Sequence, residues 1–182
     1  MLKLNVNNET SKLLAVVLGT AKSNGPAPKL EECYDPKSRE NILANTYPTE
    51  IDMVDELNQL KEVLIKHNVN VYRPDVINDY NQIFSRDIGF VIDDFFIVAN
   101  ILPDRSNEIF AIQKVLDLIP KNKIIELPNE CHIEGGDVIL NNDYIFIGTY
   151  DGIDYSNFKT ARTNYKAIKF LKEKFPAKKI MS

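Results

Sequence analysis

The sequence predicts an α/β fold assembled from pseudo-symmetric ββαβ units, in which a β-hairpin is followed by a helix and then by a short strand. Three observations predict it. Laid under Ser85-Arg86-Asp87-Ile88-Gly89-Phe90-Val91-Ile92, the stretch Cys131-His132-Ile133-Glu134-Gly135-Gly136-Asp137-Val138-Ile139-Leu140 puts Gly136 under Gly89 and Glu134 under Asp87, an offset of 47 residues (134 − 87). Each copy is followed by a polar pair, Asp93-Asp94 or Asn141-Asn142, and by a second apolar run, Phe95-Phe96-Ile97-Val98 or Tyr144-Ile145-Phe146-Ile147. Each run then leads into a segment of helical spacing and a short apolar run. A repeat of this period marks a solenoid, a propeller or another pseudo-symmetric array, where carboxylates at equivalent positions can face one axis.

In chain order, Leu13 to Leu18 is a continuous apolar run with β-branched members closed by Gly19, which predicts a strand buried on both faces. Lys22 to Tyr47 carries Gly25, Pro26, Pro28 and Pro36, is closed by Pro48 and shows no sustained periodicity, so it reads as a long loop of the lid-forming kind. Thr49, with Asp52 three residues on, caps a helix whose Ile51, Val54, Leu57, Leu60, Val63 and Leu64 share a face. Val69-Asn70-Val71-Tyr72 is a short strand stopped by Pro74, and Asn81 to Asp87 leads into the first hairpin. Ser106 reads as the N-cap of the second helix, with Ile109, Ile112, Leu116 and Ile119 spaced by threes and fours. Lys123 to Leu127 is the next short strand, stopped by Pro128. After the second hairpin, Thr163 to Phe175 forms a third helix that buries Ile168, Leu171 and Phe175, and Lys179-Ile180-Met181 opens a third short strand.

With 182 residues, 44% hydrophobic and 26% charged, the chain has the makeup of a globular domain and length enough for a core. A single domain over residues 1–182 is expected, with repeat units at roughly 13–74, 81–128 and 132–182. The first unit has only the return strand of its hairpin, and the last ends as its short strand begins. Strand edges at both ends then carry open N–H and C=O groups, and self-association or a missing C-terminal half is expected to cover them.

A net charge of −4 with interspersed signs argues against a nucleic-acid partner, and the lysines from Lys166 to Lys179 read as a solvated helix face. Two cysteines, Cys33 and Cys131, without a Cys-x-x-Cys pair, point to a reducing compartment. No apolar run has the length of a signal core or a membrane span. A cytoplasmic protein is expected.

Asn81-x-x-Phe84-x-Arg86-Asp87, then Glu134-Gly135-Gly136-Asp137, then Ala161-Arg162-Thr163-Asn164 resemble, in kind and order, the guanidine-modifying or pentein superfamily. That superfamily includes arginine deiminases, dimethylarginine dimethylaminohydrolases and amidinotransferases. The resemblance spans most of residues 13 to 182. It implies a five-bladed α/β propeller around a central active site, incomplete here, with about its first half present. It further implies an arginine-like guanidino substrate, with Asp87 and Glu134 as catalytic-site carboxylates and Asn81, Arg105 and Arg162 as substrate-binding residues. Arg162 would take a substrate carboxylate; Arg105 is assigned by its position after the hairpin. No metal and no cofactor are expected.

The chemistry explains the residue types. A guanidinium is a planar cation with five N–H donors in a fixed fork, and a carboxylate accepts two of them in parallel. Carboxylates from two sides would fix its plane and present its central carbon. In the family a cysteine near the C-terminus attacks that carbon, an amine leaves, and the amidino-thioether passes to water or an acceptor amine, with a histidine of the fourth unit moving protons. Neither residue is matched in this chain.

Cys131 and His132 do not substitute for them, because adjacent side chains of an extended segment point to opposite faces. His132 and Glu134 share a face, yet a zinc site takes at least three protein ligands and the only other histidine is His67. A packed cysteine and a hydrogen-bonded histidine are expected. The bland alternatives are a structural ion pair for Arg86-Asp87, a tight turn or bulge for Gly135-Gly136, and a helix-start residue for Arg162. Two functions stand side by side: a guanidino-modifying enzyme whose nucleophile and base lie beyond residue 182, and a non-catalytic guanidinium-binding or protein-interaction module.

Overall fold

Three sheets carry the repeat. The structure, a computed structural model, describes residues 1–33, 36–150 and 162–182. In the first sheet β1 (Ala15–Val17) runs parallel to β2 (Asn70–Tyr72), with Val16 opposite Val71. In the second, β3 (Gly89–Ile92) and β4 (Phe95–Val98) form a hairpin, and β4 pairs in parallel with β5 (Ile124–Glu126). In the third, β6 (Val138–Asn141) and β7 (Tyr144–Ile147) form the hairpin, and β7 pairs in parallel with β8 (Lys179–Met181). Each return strand thus has its short parallel partner, and the first sheet has no hairpin partner for β1. That is the accounting the sequence predicts.

The described chain divides into two compact units. One is built on Leu14–Ile83; the other comprises Met1–Leu13, the stretch from Phe84 onward through both hairpins, and the C-terminal segment to Ser182.

In the Leu14–Ile83 unit, α2 (Glu50–Lys66) starts as expected: Asp52 N–H donates to Thr49 Oγ1 and Thr49 N–H donates to Asp52 Oδ2. Two expectations fail here, for β1 and for the stretch Lys22 to Tyr47. β1 is three residues long and half-buried, with Leu13 and Leu14 exposed, because among the described residues of its unit only β2 pairs with it. On α2 only Met53 is buried, and Ile51, Leu60 and Val63 are exposed, since a two-stranded sheet is too narrow to cover a wide apolar stripe. The stretch Lys22 to Tyr47 is not loop throughout: it holds a 3-10 turn, Leu30–Glu32, and α1 (Pro36–Leu43). Pro36 at the first helical position is pre-set for a helix start, and α1 buries none of its residues, so no amphipathic period announces it.

The second unit holds the main core. Phe90, Ile92, Ile97, Val138, Leu140, Ile145 and Ile147 from the two hairpin sheets, and Ile133 from the segment ahead of β6, pack with Ala167, Ile168 and Leu171 of α5 (Tyr165–Lys174) and with Phe175. Asn164 caps α5 by accepting from Ala167 N–H at 3.0 Å. The second predicted helix is two short ones, α3 (Asn107–Ala111) and α4 (Gln113–Leu116), joined at Ile112. Ser106 is not a side-chain cap. It already has helical dihedrals after the 3-10 turn Pro103–Arg105, so its hydroxyl donates back to Pro103 O at 2.9 Å.

The repeat offset also needs correcting. Antiparallel pairing matches Ile92 with Phe95 and Asn141 with Tyr144, which sets the return strands 49 residues apart (144 − 95). The hairpin turns, Asp93-Asp94 and Asn142-Asp143, lie 49 apart (142 − 93). Ahead of the hairpins, Asp87 N–H donates to Phe84 O and Asp137 N–H to Glu134 O, both at 3.1 Å, so the backbone counterpart of Asp87 is Asp137 rather than Glu134. Matching an acid and a glycine cannot register residues that such turns add.

The N-terminal segment is laced across both hairpin turns. Val6 bridges Asp93, Asn8 bridges Asn141, and Glu9 accepts from Arg86 Nη2 at 2.9 Å and from Leu140 N–H at 3.2 Å. Burial opposes the charge of Glu9, but the hydrogen bonds and charge of Arg86 and the Leu140 N–H outweigh it and lower its pKa.

The sheet orientation predicts unequal costs along one hairpin. Leu171→Ala in the core should lower unfolding free energy by about 2–5 kcal/mol. Ile139→Ala, on the 54% exposed outer face of β6, should change it by no more than about 0.5 kcal/mol. Urea denaturation of the two variants checks this, and equal losses would mean the strand faces are reversed.

Candidate functional site

Two backbone turns are pressed together by a pair of glycines. A Cβ on Gly135 would stand 2.1 Å from Arg86 O, and one on Gly136 would stand 2.5 Å from Asp87 Oδ1. Only hydrogen at these positions lets the turn before β6 approach the turn before β3. Arg86 fastens the contact: its Nε–H donates to Gly135 O at 3.0 Å and its Nη2–H to Val138 O at 2.6 Å, and Gly135 N–H donates to Asp87 O at 3.3 Å. Arg86 is therefore a brace between hairpins, paired with Glu9 and not with Asp87.

The approach sets Asp87 and Glu134 near one another, each with its own arginine. Asp87 Oδ2 accepts from Arg105 Nη1 at 2.8 Å. Arg105 also donates from Nε and Nη2 to the two oxygens of Glu108, at 2.6 and 3.2 Å, and from Nη2 to Phe84 O at 3.2 Å. Glu108 is 1% exposed. Burial works against the charge of Arg105, and the hydrogen bonds and charges of Glu108 and Asp87 override it and raise its pKa.

Glu134, 3% exposed, pairs through Oε2 with Arg162 Nη1. Its Oε1 is buried with no hydrogen-bond partner among the described residues. Asp87 Oδ1 likewise lies against Gly136 without a donor among them. Burial pushes the Glu134 carboxyl up; Arg162 and Arg105 pull it down without cancelling that, and the nearby negative charge of Asp87 adds to the rise.

The third motif is positioned by the second. Asp137 Oδ2 accepts from Arg162 N–H at 2.9 Å and from Thr163 Oγ1 at 2.8 Å, and Asn164 N–H donates to His132 O at 3.0 Å. Arg162 is delivered to Glu134 by these bonds, just ahead of α5.

Of the residues singled out by sequence, Asp87, Arg105, Glu134 and Arg162 come together in one unit. Asn81 lies in the Leu14–Ile83 unit, exposed, where its Oδ1 accepts from Ile83 N–H at 3.1 Å. Cys131 is in the core, its thiol pushed up by burial and by the charge of Glu130. Sequence reasoning missed Glu108, Asp137 as an anchor, and Glu9. Glu108 had a signal: it is an acid three residues after Arg105 and in line with the buried Ile112. Glu9 had none, since its partners are 77 and 131 residues away.

The arrangement is chemically specific. Each acid spends one oxygen on an arginine of this chain and keeps one oxygen without a donor among the described residues. A planar cation with parallel N–H groups is the ligand such a pair of acceptors suits.

No family model matches the chain. It is 32% identical over 126 residues to the uncharacterized protein YkgA of Bacillus subtilis (strain 168), which covers 67% of this chain and 39% of that protein. Among solved structures it is similar to an amidinotransferase of the saxitoxin biosynthetic pathway from Microseira wollei, with a TM-score of 0.71 at 19% identity over 97% of this chain and 61% of that one. It is also similar to the N-terminal domain of a cyanobacterial arginine dihydrolase of the ornithine-ammonia cycle, with a TM-score of 0.68 at 12% identity over 93% of this chain and 57% of that one. The chain thus spans about 60% of the length of the solved structures it matches.

The raised carboxyl of Glu134 gives a signed pH dependence. The folded state holds this proton more tightly than the unfolded state, so Glu134 favours folding at low pH. That advantage is lost as pH rises from the ordinary glutamate range through the raised folded value. Across that window the unfolding free energy of the unsubstituted chain should fall relative to Glu134→Gln, which has no proton to lose. Urea midpoints of both proteins measured from acid to neutral pH check it; parallel curves would contradict the buried, incompletely compensated carboxylate.

Proposed function

We propose that this chain, whose fold is that of the guanidine-modifying pentein superfamily, is the guanidinium-holding part of an enzyme of amidinotransferase or arginine/dimethylarginine hydrolase type. Asp87 and Glu134 grip the guanidino group of an arginine-like substrate, and Arg162 and Arg105 hold the two acids in place. The chemistry runs through an amidino-cysteine intermediate, with the cysteine and the histidine supplied from outside these 182 residues. The observation that carries the reading is the pair of acceptors Asp87 Oδ1 and Glu134 Oε1, each without a donor among the described residues while its partner oxygen is pinned by an arginine.

A second reading, a non-catalytic guanidinium-binding or protein-interaction module, is favoured by Cys131, whose buried thiol is raised in pKa and so poor in thiolate. Self-association through the open strand edges and residence in the cytoplasm belong to the proposal. Among the described residues no helix is long and apolar enough to cross a membrane.

Two measurements separate the readings. Methylguanidinium should bind the chain, and Asp87→Asn or Glu134→Gln should each weaken it about tenfold or more, since a hydrogen bond to a charged group contributes about 1.5–3 kcal/mol. Undiminished binding in both variants would remove the site. The chain alone should release no citrulline, ornithine or urea from arginine. Turnover that Cys131→Ala abolishes would overturn the external nucleophile.

A further inference from the structure

Glu108 lies outside the three motifs, yet it is the most completely buried acid of the cluster, at 1% exposure, and both of its oxygens are on Arg105. Counting donors shows what that does. Of the five N–H groups of Arg105, Nε–H goes to Glu108, both Nη2–H groups go to Glu108 and Phe84 O, and one Nη1–H goes to Asp87. Arg105 therefore meets Asp87 through a single bond to Oδ2, and it cannot offer that acid the bidentate fork that would take both oxygens.

Charge runs the same way. Asp87 and Glu108 are two carboxylates sharing one guanidinium, so Arg105 is not given over to Asp87 alone. The charge that attracts a cation on the Asp87 side exists because Glu108 takes a share of Arg105.

We infer that Glu108 is a positioning residue for the site: by holding Arg105 through Nε and Nη2 it keeps Asp87 Oδ1 free and Asp87 un-neutralised, so that Asp87 can receive a guanidinium from a ligand. Without the charge of Glu108, Arg105 turns its fork to Asp87, covers both oxygens and cancels the charge. This inference rests on the reading of Asp87 and Glu134 as a guanidinium clamp and adds the group that keeps one jaw open.

The test is methylguanidinium binding to the 182-residue chain by calorimetry, with tetramethylammonium, a cation lacking N–H donors, as control. Glu108→Gln should weaken methylguanidinium about tenfold, the effect of removing one charge from a partly buried cluster. Glu108→Asp, which keeps the charge, should stay within about threefold. The deciding comparison places the change on an Asp87→Asn background, where no Asp87 charge is left for Glu108 to preserve: Asp87→Asn with Glu108→Gln should bind as weakly as Asp87→Asn and no weaker. A Glu108 that acts only on the fold at large would weaken the double variant about tenfold further, and that result overturns the inference. So does a Glu108→Gln protein that binds normally. Should Glu108→Gln fail to fold by circular dichroism, Glu108→Asp decides alone: affinity within about threefold supports the role, and a loss of about tenfold refutes it. No methylguanidinium binding by the unsubstituted chain, or equal binding of tetramethylammonium, removes the clamp itself and this inference with it.

Discussion

The close approach of Gly135 and Gly136 to the Arg86-Asp87 turn is the contact on which the site depends. Two hairpins that share one core could meet in many registers; the glycines allow one in which Gly135 lies under Arg86 O and Gly136 against the Asp87 carboxylate. Arg86 then closes the contact with bonds to Gly135 O and Val138 O, and Glu9 pairs with the outer side of Arg86. A methyl group at either glycine has to move backbone or a charged group, and overpacking of this kind costs roughly 1–3 kcal/mol or more. The carboxylate geometry downstream of the contact is inherited from it.

Putting acids together at a poorly solvated place is unfavourable unless each has a partner. The chain meets this with an arginine from just ahead of each following helix, Arg105 for Asp87 and Arg162 for Glu134. The compensation is incomplete by construction. Glu134 keeps a buried oxygen without a donor among the described residues and a raised pKa, and Asp87 shares its arginine with Glu108. Polar groups left partly unsatisfied in an otherwise ordered core are the usual mark of a place shaped for a ligand. A structural ion pair alone does not account for the spare acceptors.

Much of this was legible in the sequence, and the failures have physical causes. The hairpins, the parallel short strands and the missing partner of β1 follow from alternating apolar runs and turn residues, which are local. Asp87, Glu134 and Arg162 were singled out because their motifs and order resemble a guanidine-modifying family, and the structure puts the three in one compact unit. The offset of 47 was wrong because it matched a glycine and an acid while the hairpin pairings are spaced by 49. Ser106 was misread as a cap because a preceding 3-10 turn, invisible to helical periodicity, already satisfies it. Glu9 and Asp137 act through partners fixed by tertiary structure, and the stripe on α2 could not reveal how narrow a sheet it would meet.

The most direct measurement is a crystal structure of the chain with methylguanidinium bound. The expected density shows one planar cation with N–H groups about 2.7–2.9 Å from both Asp87 Oδ1 and Glu134 Oε1, while Arg105 and Arg162 keep the opposite oxygens. A cation bound elsewhere, or density showing both acids enclosed by Arg105 and Arg162 at saturating ligand, would contradict a shared guanidinium site.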